Sequence, residues 1–135
     1  MRLIDRVLAF DGKGETIVCS AQPRQGSPFL KNGVIPGIVC LEYMAQTVAA
    51  YVTLRRVTQA SAEIVKPRVG FIISARDLKL GVEHLQTDQR ITISAKLVWS
   101  DSTTASFDCS LQVDSRVAAS TRLTVYEPPD ARADT

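Results

Sequence analysis

The 135-residue sequence predicts an α+β domain in which one curved antiparallel sheet wraps around a single long helix. Three observations carry that prediction. One apolar segment, VIPGIVCLEYMAQTVAAYVTL at residues 34–54, is long enough for a core helix and holds one charged residue, Glu42. After it, apolar and polar residues alternate with a period of two, the mark of half-buried strands. Short polar turns separate the alternating runs, so neighbouring strands are antiparallel, with one buried and one wet face.

Taken in order, residues 3–10 form a first strand, DGKG at 11–14 a turn, and residues 16–21 a second strand, which together read as a hairpin. PRQGSPFLKNG, residues 23–33, is a loop rich in Pro, Gly and polar residues, with at most one short turn. Pro36-Gly37 opens the helix, Pro being tolerated in the first turn. The helix runs to Leu54, where Arg55 and Arg56 suit the negative end of its dipole. Apolar nearly all round, it should be covered on most sides. Residues 68–80 are extended. In ITISAKLVW, Ile91, Ile93, Ala95, Leu97 and Trp99 share one face. Ala105, Phe107, Cys109, Leu111 and Val113 share the next, and Val117, Ala119, Leu123 and Val125 the last. The order is β-β-α-β-β-β-β in one domain, residues 1–127, followed by a polar, Pro-rich tail at 128–135.

Composition narrows the function classes. With 45% hydrophobic and 22% charged residues the chain is an ordinary globular one. A net charge of +2 and no long Lys/Arg run argue against a nucleic-acid binder. The three cysteines, Cys19, Cys40 and Cys109, form no CxxC motif, and the one histidine, His84, is distant from them in sequence. No metal or cofactor is therefore expected, and the cysteines read as reduced, buried hydrophobes suited to the cytoplasm. The start, MRLIDRVLAFDGKG, is too short and charged for a signal peptide. Residues 34–54 reach the roughly 20 residues a bilayer span needs. Pro36, Glu42 and Gln46 favour a core helix instead, because a carboxylate at the bilayer centre is costly.

Glu42 is the residue that asks for an explanation. A buried carboxylate without a partner is strongly disfavoured or stays protonated. Gln46 lies one turn on, on the same face, and can satisfy it by a hydrogen bond; Gln46 itself reads as a helix-to-loop or helix-to-helix hydrogen-bonding residue. Tyr43 and Tyr51 read as core or interface residues. Gly37 serves either the geometry of the helix start or the close approach of a ligand to a backbone amide. Arg55, Arg56, Lys66, Arg68, Arg76 and Lys79 either gather into a basic patch for an acidic partner or form a solvated face.

The order of elements, with Pro36, Gly37 and Ile38 followed by Glu42, Met44, Ala45 and Gln46, resembles the hot-dog fold. Within it the chain resembles the FabZ-type 3-hydroxyacyl-(acyl-carrier-protein) dehydratases, whose central helix carries P-G-V-x-x-x-E-x-M-A-Q. The resemblance is closer to the ApeP-like, dehydratase-like proteins of aryl-polyene clusters. Ile35 to Thr47 is similar to their V-P-x-x-x-x-x-E-Y-M-A-Q-T. Gly70-Phe71-Ile72 with Arg76 is similar to their G-F-L-x-x-x-R, and Leu123 to Tyr126 to a final strand ending in V-Y.

That resemblance implies removal of water from a 3-hydroxyacyl thioester, on acyl carrier protein or coenzyme A, in fatty-acid, polyene or polyketide biosynthesis. It implies Glu42 as the acid and the Gly37 amide polarising the thioester carbonyl. Pro28, Phe29, Pro36 and Gln46 would meet substrate, and Arg55, Arg56, Arg68 and Arg76 an acidic carrier and its phosphopantetheine phosphate. The base in the family is a loop histidine just ahead of the helix. Aligning Pro28-Phe29 with a His-Pro-Phe form puts Ser27 at its place; a strict count on a His-Phe-Pro-Gly form puts Pro28 there. Neither is a histidine, and a serine hydroxyl does not remove an α-proton without a base beside it. His84 is expected in a polar segment between strands, away from the site. Three readings stay open: the dehydratase, a hot-dog thioesterase using Glu42, and a catalytically silent acyl-binding or partner subunit. The fold implies a homodimer or higher oligomer, or a heteromer with a histidine-bearing homologue, with Glu42 of one chain facing the loop of the other.

Overall fold

The computed structural model describes residues 2–24, 26–59 and 71–126. Strands β1 (Arg6–Asp11) and β2 (Thr16–Ala21) form the expected hairpin. Its turn is held by the Asp11 carboxylate accepting the Lys13 amide at 3.0 Å, with Glu15 left-handed at φ 61°. A short strand β3 (Val34–Pro36) follows, then one 3-10 turn (Gly37–Val39) that runs into helix α1 (Cys40–Gln59). The rest is strand: β4 (Phe71–Leu80), β5 (His84–Gln86), β6 (Ile91–Ser100), β7 (Thr104–Val113) and β8 (Arg116–Tyr126). Six of them form one antiparallel sheet in the order β1-β2-β6-β7-β8-β4, and β3 pairs with β5 in a separate ribbon. The alternating runs put Ile17, Cys19, Ile91, Ile93, Phe107, Leu111 and Leu123 on the face that α1 packs against, chiefly at β2, β6 and β7.

Four expectations are corrected. The α-helix starts at Cys40, after a 3-10 turn in place of an opening at Pro36-Gly37, and it runs past Leu54 to Gln59, so Arg55 and Arg56 still lie within it. The ribbon β3–β5 is an addition; three-residue strands carry too little alternation to be seen in sequence. Trp99 does not share the inner face of β6: the register shifts between Leu97 and Trp99, and the indole is left 54% exposed. A bulge opposite Gln112 likewise turns Val117 outward, 61% exposed, and buries Ala118 and Ala119. Residues 68–70 and the tail from 127 onward lie outside the described residues.

The helix is also less covered than its composition suggests. Met44, Thr47, Val48 and Tyr51 are buried, while Ile38, Glu42, Ala49, Thr53 and Val57 form an exposed stripe. It is the chain's one described helix long and apolar enough to cross a membrane, and it is the helix that the sheet wraps, with 44% of the window buried.

Candidate functional site

The helix start is built by the short ribbon. In it Pro36 faces His84 across the strand pair, and Ile35 faces Leu85, both of the latter fully buried. The Gly37 amide donates to the Glu83 carbonyl at 2.7 Å. A Cβ on Gly37 would lie 2.4 Å from the Val82 carbonyl oxygen and 3.0 Å from that of Glu83. Glycine stands here because the backbone of residues 82–83 crosses it, and its amide is not free to polarise a thioester carbonyl as the family resemblance implied. His84, expected away from the site, is brought to its edge: exposed, and one residue from that crossing.

Glu42 sits in the first turn of α1 and is exposed, not enclosed by apolar side chains. Its carboxylate accepts from Gln46 Nε2 at 3.2 Å. Gln46 Oε1 in turn accepts the amides of Leu3 at 2.6 Å and Ile4 at 3.3 Å, so one side chain ties the N-terminal segment to the helix and steadies the carboxylate. That bears out the hydrogen-bonding reading of Gln46. Beside it runs a mainly apolar groove of about 580 Å³ between α1 and the N-terminal segment, where Ile4, Val7, Ala49, Ala50 and Leu54 line it together with Arg2 and Arg6. Ser27 is buried, and its hydroxyl oxygen accepts the Phe29 amide at 3.2 Å. Pro28 is exposed and Phe29 half-buried against the core. Among the described residues no three His, Cys, Asp or Glu side chains gather as a metal site would require.

A family model described as ApeP dehydratase matches residues 1–135, the whole chain. The chain belongs to the ApeP-like family. No curated protein matches the sequence. Among solved structures the dehydratase heterocomplex ApeI:P from Xenorhabdus doucetiae is similar with a TM-score of 0.84 and 20% identity, over 98% of this chain and 87% of that one. A hypothetical thioesterase with coenzyme A from Streptococcus pneumoniae TIGR4 is similar at 0.68 and 13%, over 93% and 86%. A mutant thioesterase from Pseudomonas aeruginosa follows at 0.64 and 19%, over 93% and 81%. The shared architecture is the hot-dog fold.

The basic residues of this ApeP-like chain fall into two places. Arg55 and Arg56 line a cavity between α1 and the β6–β7 turn. Arg76 lies on the outer face of β4, opposite Arg122 and near Trp99. Lys66 and Arg68 lie outside the described residues. The Asp108 carboxylate takes both Nε and a terminal nitrogen of Arg122, at 2.8 and 3.2 Å, and so offsets the two facing guanidiniums. Sequence reasoning placed Tyr51 in the core or an interface but did not foresee His84 beside Pro36 or Tyr51 beside the cavity of Arg55 and Arg56, since both depend on segments far apart in the chain.

Proposed function

We propose that this chain is the acid-bearing subunit of a heteromeric dehydratase that removes water from 3-hydroxyacyl thioesters. One observation carries the reading: Glu42 stands outward on α1, while the two residues that can align with the family's base are a buried Ser27, whose hydroxyl accepts the Phe29 amide, and an exposed Pro28. An acid with no histidine at the family's loop position fits a partner that supplies the base. The similar ApeI:P structure is a dehydratase heterocomplex, which supports the same arrangement here.

A partner laid over the exposed stripe encloses the Glu42 carboxyl together with the substrate. The apolar groove beside Gln46 then holds the acyl chain. A histidine of the partner subunit removes the C2 proton, the electron pair becomes the C2–C3 double bond, and the C3–O bond breaks. Glu42 gives its proton to the departing hydroxyl, which leaves as water, and the proton on the histidine returns to Glu42 through solvent. With the amides of Gly37 and Val39 engaged, that of Ile38 is the one at the helix start to polarise the thioester carbonyl. The acyl group is carried by an acyl carrier protein, and Arg55 and Arg56 are the cations nearest the helix end for it. The three buried free thiols fit a cytoplasmic protein.

The test is mass spectrometry of a 3-hydroxyacyl carrier protein incubated with this chain alone, with a histidine-bearing hot-dog homologue alone, and with the co-purified pair. Water loss is expected from the pair, and Glu42→Gln in the pair should slow it by about 10²-fold or more. Full turnover by this chain alone, or by the Glu42→Gln pair, overturns the reading. Release of the free acid instead would assign a thioesterase.

A further inference from the structure

His84 is the chain's one histidine, and the dehydration leaves it without a task. Its position follows from the β3–β5 ladder. The Gly37 amide donates to the Glu83 carbonyl, so residues 37 and 83 are a hydrogen-bonded pair. The neighbouring pair, Pro36 and His84, is then of the non-hydrogen-bonded kind, as a proline without an N–H requires. Side chains stand closest in such pairs, with Cα atoms roughly 4.5 Å apart. Ile35 and Leu85, the pair beyond, are both fully buried, so alternation turns Pro36 and His84 outward together.

That outward surface also carries the exposed Ile38, two residues after Pro36, and the exposed Glu42, one helical turn further on. Among the described residues His84 holds no hydrogen bond or ion pair, so its ring N–H is available to a substrate. The Ile38 amide is the one amide left at the helix start, and a single donor is a poor match for an oxygen that takes up charge. Sites for such oxygens combine backbone amides with donor side chains, histidine among them.

We propose that His84 is a further catalytic residue, its imidazole donating to the thioester carbonyl oxygen together with the Ile38 amide. The proposal rests on the dehydratase reading for its substrate. When the C2 proton leaves, the electron pair spreads onto that oxygen, and the two N–H groups hold the charge. The pair then returns to form the C2–C3 double bond as the C3–O bond breaks, and His84 gives up no proton. Hydrolysis of the thioester loads the same oxygen, so the role of His84 is the same in either reaction.

The experiment follows a 3-hydroxyacyl carrier protein by mass spectrometry, at varied concentration, in the co-purified pair with a histidine-bearing homologue. This chain carries His84→Ala, His84→Gln or Gln86→Ala. His84→Ala should lower kcat about 10²-fold with KM little changed, and His84→Gln, which keeps a donor, should recover part of the loss. Gln86 is exposed on the same face of the ribbon, opposite Val34, and Gln86→Ala should leave the rate as it is. A wild-type rate in His84→Ala, a loss that His84→Gln does not ease, or an equal loss in Gln86→Ala overturns the proposal. So does water loss by this chain alone that His84→Ala abolishes, since the imidazole would then be the base. Failure of the dehydratase reading shows separately, as a wild-type pair that releases free acid without losing water; a release slowed by His84→Ala still supports the role of His84. No reaction of the wild-type pair overturns both.

Discussion

Gly37 is held between backbone carbonyls, and that fixes what can replace it. An added methyl group meets the Val82 oxygen at 2.4 Å, and neither that carbonyl nor Glu83, which takes the Gly37 amide, can swing away as a flexible side chain could. Gly37→Ala should therefore cost about 1–3 kcal/mol, seen as a fall in Tm of roughly 4–12 °C. An unchanged Tm would show that the β3–β5 ribbon gives way freely. The sequence offered a glycine at a helix start and two explanations for it; only the crossing of residues 82–83 decides for packing. Glu42 shows the reverse balance. Its isolation in an apolar segment and the Gln46 one turn on were legible in sequence, and the 3.2 Å hydrogen bond between them follows from helical spacing. Its exposure was not legible, because that depends on which stripe of α1 the sheet leaves open.

At the scale of elements, alternation told which face of each strand is buried until a bulge intervened. Trp99 and Val117 are the two failures, each at a register shift that an extra residue imposes on one strand only. Where the ladder is regular, cross-strand chemistry follows. Arg76, Arg122 and Asp108 sit side by side on β4, β8 and β7, and the carboxylate offsets two like charges facing each other. The hydrogen bond from Arg122 is the main cause of a lowered Asp108 pKa. A depressed carboxylate contributes stability above its unfolded value of about 3.9 and loses it as pH falls through the folded value. Both side chains are about half exposed, so Asp108→Asn should cost only about 0.2–1 kcal/mol at neutral pH. The gap in Tm between variant and wild type should close below about pH 3.9. A gap that persists in acid would place the effect in packing instead of charge.

At the scale of the whole molecule, the three cysteines report how closed the core is. All are free and buried. Desolvation pushes the Cys40 thiol up to about 11 and Cys109 to about 12, and raises Cys19 as well. Thiolate fractions near pH 8 are then on the order of 10⁻³ for Cys40 and 10⁻⁴ for Cys109. Iodoacetamide at pH 8 should leave the native protein unmodified by intact mass and add to all three thiols after unfolding; a rapid native adduct would reveal an opening in the core. The sequence by itself determined the fold class and the order of the long elements, and it singled out Glu42 as the lone charge of its apolar segment, because hydrophobic periodicity and helical spacing are local properties of the chain. Tertiary structure alone decided that Gly37 is a packing glycine, that Glu42 faces outward, and that Tyr51 and Arg55 share a cavity with the β6–β7 turn. Each of those depends on which distant segment folds against the residue, and pairing across the chain is set by the whole core at once.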